Sequence, residues 1–377
     1  MKSRIAYSVV GFFVLLITLA LFNQNVNLFD ESDNPTIDIS AVLSGKEKNK
    51  GFKRAVRPIQ FSFPKDHGTH PDYQTEWWYF TGNLKDEENN NFGYQLTFFR
   101  RALTPDQPVD GSSWRASSIY FAHFAVTDIS NKNYHSFEKW SRATPRLAGS
   151  DNKDLHVWID DWMVNSDDNN NYILSSNSEN ISVSLVLKES KKIVLNGNKG
   201  LSQKSDELGN ASYYYSHTRL KTTGTITIDD KKHKVDGLSW FDHEWSTSAL
   251  GDLQSGWDWF SLQLSNNTEI MIYMLRLKDG TVDPVSSGTY VDKSGDTVHL
   301  KSTDFIVETK EHWKSPGTNI KYPSKWTVMI PKYNIELDVQ PVLNNQEFNH
   351  SFTYWEGAVK VKGDNISGLG YVELTGY

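Results

Sequence analysis

The strongest constraint on this chain is that it repeats itself. WWYFTGNL at 77–84, followed by YQLTFFR at 94–100, is matched by WDWFSLQL at 257–264, followed by IMIYMLR at 270–276. Trp, Phe, Leu and a closing Arg recur in order. The later ends agree too: GLSWFD at 237–242 parallels GLGYVE at 368–373, each after a Gly, Gly224 or Gly357, that opens a strand. A unit carried twice builds two similar bodies, expected at 60–247 and 248–377. The extra length of the first falls in the Asn-, Ser- and Asp-rich stretch 146–215.

Both copies read as β-structure. After Ile59 the pattern is short alternating runs such as 119–127, 181–188 and 326–330, broken by turn formers such as Asp229-Asp230 and Asp279-Gly280. No long helical periodicity interrupts them. Six to ten such strands close into a barrel or fold into a sandwich, and small barrels hold one ligand in the lumen or mouth.

The chain begins differently. Lys2 and Arg4 precede an uncharged apolar run at 5–22, followed by Asp30, Glu31 and Asp33. That order predicts a membrane anchor, or else a cleaved signal segment, at 1–22 with the body outside the cytoplasm, and a polar linker at 23–59. A net charge of −7 offers no face-wide basic excess, which excludes a general nucleic-acid partner. With no cysteine, disulfides, thiolate nucleophiles and zinc thiolate sites are excluded as well.

The candidate chemistry lies in WFDHEW at 240–245. Alternation puts Phe241, His243 and Trp245 on one face and Trp240, Asp242 and Glu244 on the other. The second copy has Val372-Glu373-Leu374 there, so His243 and Trp245 are not needed by the repeat as such. Either they form a site present once, or His243 is a core histidine with its hydrogen bonds satisfied. Asp258 shares a face with Phe260, Leu262 and Leu264, where a carboxylate must be protonated, paired or metal-bound. A protonated Asp258 makes a general acid; a nearby Arg makes it an ion pair. His123 is flanked by aromatics, and Gln95 shares a face with Thr97 and Phe99, either as a polar contact in a pocket or as part of a wet face. His67, His70 and Glu76 lack a metal-binding helical spacing, and no metal or cofactor is expected. Neither a nucleophile elbow nor a phosphate-cradling loop occurs.

Together HPDYQTEWWYFTGNL at 70–84, DHEWSTS at 242–248, GWDWFSLQL at 256–264 and GYVELTGY at 370–377 resemble the AttH-like, hydroxyneurosporene synthase group, which includes carotenoid 1,2-hydratases. The resemblance implies tandem lipocalin-like β-barrels, here after the N-terminal anchor. It implies a hydrophobic small molecule or lipid as ligand, and it puts His243 and Trp245 in the pocket beside an aromatic residue and an acid, for which Trp257 and Asp258 are the candidates. Asp258 would protonate an isolated C=C, His243 would handle the water, and Trp245, Trp257 and Phe241 would shield the cation. Trp78, Phe241, Trp257, His123 and Gln95 are the expected ligand contacts. The rival expectation is a non-catalytic lipid carrier of the envelope using the same cavity.

Overall fold

The computed structural model describes residues 51–105, 117–248 and 250–377. The expected anchor at 1–22 and most of the linker lie outside them. Among the described residues no helix is long and apolar enough to cross a membrane.

The fold is all-β, built on two large antiparallel sheets. In the first, the strand Thr75–Asp86 lies between Asn91–Ala102 and Lys231–Ser246, and the path runs on through Ala211–Ile228 and Ile181–Glu189. Short strands from the Asn- and Ser-rich stretch extend the sheet until His156–Ile159 comes back against Ser118–Asp128 and Asn133–Arg142, nearly closing a barrel. The second sheet is a half-barrel in which Gln254–Leu264 lies between Glu269–Leu277 and Ile366–Leu374. Both opening strands of the repeat therefore sit between their own hairpin partner and the last strand of their own copy.

Alternation makes each sheet two-faced. In the first, Trp78, Phe80, Phe241 and Trp245 point inward to one apolar core. Phe260, Leu262, Val372 and Leu374 do the same in the second. The outward faces meet: Tyr79, Tyr214 and Trp240 of the first sheet pack on Trp259, Tyr273 and Tyr371 of the second. A neighbouring cluster joins Phe99 and Phe121 to Phe348, Phe352 and Tyr354. Polar side chains on these outer faces are thus buried by the contact between the sheets rather than exposed to water.

Candidate functional site

Three clusters of buried titratable side chains hold the expected chemistry or its neighbours, and the third lines a cavity between the sheets. The first is inside the barrel. His243 is fully buried, with Trp78 stacked on it at 4.9 Å, its Nε2 3.0 Å from Glu76 Oε1 and its Nδ1 3.1 Å from Asp66 O and Tyr215 Oη. Glu76 also accepts from Arg100 Nε at 3.0 Å and Thr69 Oγ1 at 2.8 Å, while His70 Nδ1 lies 2.7 Å away under the Trp245 ring. Burial pushes the Glu76 carboxyl up, but Arg100 and the two imidazoles hold it well below the ordinary carboxylate range. His243 is lowered by burial, against the pull of Glu76. The ligand atoms of His70, Glu76 and His243 lie within 4.8 Å of one another, close enough for a cation. Yet Arg100 already balances the carboxylate and hydrogen bonds fill its lone pairs, so the cluster is complete as a buried ion-pair network.

Asp258 belongs to the second cluster, inside the half-barrel. It accepts from Arg276 Nε at 2.9 Å and from Tyr377 Oη at 2.8 Å, and burial raises its pKa against both. His243 and Asp258, expected to converge, therefore lie in the interiors of different sheets. Breaking this buried pair is costly: Asp258→Asn is expected to lower stability by about 3 kcal/mol in urea titration and to leave the cavity described next unchanged in ligand binding.

That cavity lies between the sheets and encloses about 740 Å³, its mouth included. Trp77, Tyr79, Phe99, Trp257 and Trp259 form its aromatic walls, and Asp242, Glu244, Glu356, Glu373 and Lys204 are its ionisable lining. Lys204 Nζ reaches Glu244 at 2.8 Å and lies 4.4 Å over the Tyr273 ring. Lys204 pairs with Glu244, and burial of the other three carboxyl groups favours retained protons over charges. Asp242 is pushed up to about 7 by burial, although Ser216, Tyr214 and Trp240 donate to it. Glu373 rises to about 8 through burial, opposed by the Trp257 indole and reinforced by Asp242 and Glu244. Glu356, which accepts from Tyr79 Oη, stands well above the usual range through burial and the neighbouring Glu373.

The cavity is quasi-symmetric because the repeat is. Tyr79 pairs with Asp242 across the strands of one copy, and Trp259 with Glu373 in the other. Aligning GLSWFD with GLGYVE had already put Asp242 opposite Glu373. His243 and Trp245 differ between the copies, whereas the lining acids Asp242 and Glu373 occupy equivalent positions. Of the expected contacts, Gln95 and Trp257 line the cavity. His123 stands one bond behind it, its Nδ1 2.8 Å from Tyr354 Oη. Trp78, Phe241, His243 and Trp245 fill the barrel interior instead, because their strand positions have the opposite parity.

The AttH-like family profile matches residues 54–377. The chain belongs to the AttH-like family. Its fold superposes on that of a protein assigned as AttH from Nitrosomonas europaea with a TM-score of 0.78 and 29% identity, over 86% of this chain and all of that one. Kievitone hydratase from Nectria haematococca shares the fold at a TM-score of 0.65 and 17% identity, over 86% of this chain and 96% of its own. The dehydratase asqC of Emericella nidulans is 25% identical over 227 residues, 55% of this chain and 62% of its own. The match thus spans less than two thirds of that relative.

Proposed function

We propose that this AttH-like protein is a hydro-lyase, adding water to or removing it from a compact hydrophobic molecule held between the two sheets. The observation that carries the reading is the pair Asp242 and Glu373, raised to about 7 and about 8 and facing one cavity among tryptophans. A pair of carboxyls with one proton between them supplies both acid and base near neutral pH. In dehydration Glu373 protonates the leaving hydroxyl, the C–O bond breaks with its electrons on water, and Asp242 takes the proton from the adjacent carbon as its C–H pair becomes the C=C. The proton gained by Asp242 then returns to Glu373. Hydration runs the same steps backwards. Trp77, Trp257 and Trp259 offer ring faces to positive charge developing on carbon, each worth about 0.5–2 kcal/mol in a dry site. Relatives named as a hydratase and a dehydratase support this reaction class.

An isoprenoid C=C, the expectation from the resemblance, is within reach of this chemistry. The proposal keeps the body outside the cytoplasm, tethered by the apolar run at 5–22. Its test is incubation of the purified protein with an apolar extract of its host in ¹⁸O-labelled water. A compound that gains or loses one water only with the protein present, labelled when water is gained, is the expected result. Recovery of every bound lipid unchanged would replace hydro-lyase by carrier.

A further inference from the structure

We propose that the ligand of the inter-sheet cavity carries a hydroxyl group on its apolar body, and that this hydroxyl bridges Gln95 and Glu356, donating to Gln95 Oε1 and accepting from Glu356 Oε2. The inference rests on the cavity being the binding site and deepens that reading by naming the ligand class.

Two observations carry it. Among the described residues lining the cavity, Gln95 Oε1 and Glu356 Oε2 are buried atoms without a hydrogen-bond partner, and each residue is only 2% exposed. Buried polar atoms are nearly always satisfied, so two orphans on one cavity wall mark a place where a bound molecule completes the set. Their orientation is held from behind. His123 Nδ1 is hydrogen-bonded to Tyr354 Oη at 2.8 Å, with Glu138 Oε1 3.4 Å from the far nitrogen of the ring. Tyr354 Oη in turn accepts from Gln95 Nε2 at 3.0 Å, and Thr97 Oγ1 accepts from the same nitrogen at 3.3 Å. With its amide nitrogen engaged twice, Gln95 presents its carbonyl as a fixed acceptor. Glu356 Oε1 accepts from Tyr79 Oη, so a proton on this raised carboxyl resides on Oε2 and makes it a donor. An acceptor and a donor that both line the cavity match a hydroxyl, which is both. An unfunctionalised hydrocarbon would leave both atoms unsatisfied. His123 is on this account a positioning residue.

The probes are 2-naphthol, its methyl ether and naphthalene, titrated calorimetrically into the full chain at pH 6.5. Naphthol both donates and accepts, the ether only accepts, and naphthalene does neither. Naphthol is expected to bind at least tenfold tighter than the ether, and the gap should shrink below twofold in Gln95→Leu. Tyr354→Phe, which frees the amide to rotate, should narrow it as well, so the idea does not depend on one variant folding. Equal binding of naphthol and ether, a gap kept in both variants, or no binding of any probe would overturn the proposal. Because no turnover is measured, failure here is separate from failure of the hydro-lyase reading, which labelled water decides.

Discussion

Glu373→Gln is expected to lower turnover by about 10²–10⁴-fold while leaving ligand affinity within threefold, since the amide keeps the volume and polarity of the carboxyl and loses only its transferable proton. The same pair predicts a narrow pH profile. Activity should rise as Asp242 ionises through about 7 and fall as Glu373 deprotonates through about 8. Stability gives a second readout whose sign is fixed by linkage. Both carboxyls are raised in the folded state, so between pH 4.5 and 8 these two groups hold more protons in the native protein than in the unfolded chain, and the stability they contribute at low pH is lost as pH rises. Each group contributes a slope of at most about 1.4 kcal/mol per pH unit. Glu373→Gln should flatten the slope by about one group and make the protein more stable at pH 8 while it loses activity. Urea titrations of both proteins at pH 5, 6.5 and 8 would show this. A variant with full turnover and an unchanged slope would remove Glu373 from the mechanism.

The fold was legible because periodicity and repetition are properties of the chain itself. Alternation at 77–84 and 257–264 marks strands whatever they pack against, and the doubled ends assign them to two sheets of one plan. The site was less legible because it depends on which of two faces meets the other sheet. Parity separated Phe241, His243 and Trp245 from Trp240, Asp242 and Glu244 but could not say which set faces a ligand. His243 stood out as an imidazole among aromatic rings, yet its partners Asp66, Glu76 and Tyr215 come from three distant segments that no local pattern connects. Asp258 was rightly placed on an apolar face, and of the two readings left open for it the structure supplies the arginine, Arg276. Glu356 could not have been found from spacing, since its significance comes from Glu373 opposite it in register and from Tyr79 across the sheet contact.

Glu76→Gln is expected to be the most destabilising conservative substitution in the first sheet, costing about 3–5 kcal/mol. The carboxylate has no exposed surface and joins Arg100, Thr69, His70 and His243, which come from three segments of the chain. Gln keeps the shape but leaves the Arg100 guanidinium, itself 2% exposed, without a counter-charge and turns one acceptor oxygen into a donor, facing the two imidazoles at the Oε1 position or the guanidinium at the Oε2 position. A loss of that size is a large share of the 5–15 kcal/mol typical of a folded protein. Glu76→Met with Arg100→Met should recover part of it, because no buried charge then lacks its partner. As the Glu76 pKa is depressed, its contribution is present above the unfolded carboxylate range and lost as pH falls through its low folded value, opposite in sign to Asp242 and Glu373. The variant also separates the two places where chemistry could reside. Glu76 holds His243 inside the barrel, whereas Asp242 and Glu373 face the cavity on the other side of the sheet. Turnover per folded molecule is therefore expected to stay within threefold in Glu76→Gln. A hundredfold fall in the folded fraction would return the chemistry to His243, and an unfolding midpoint equal to that of the parent would show that the network contributes nothing to the barrel.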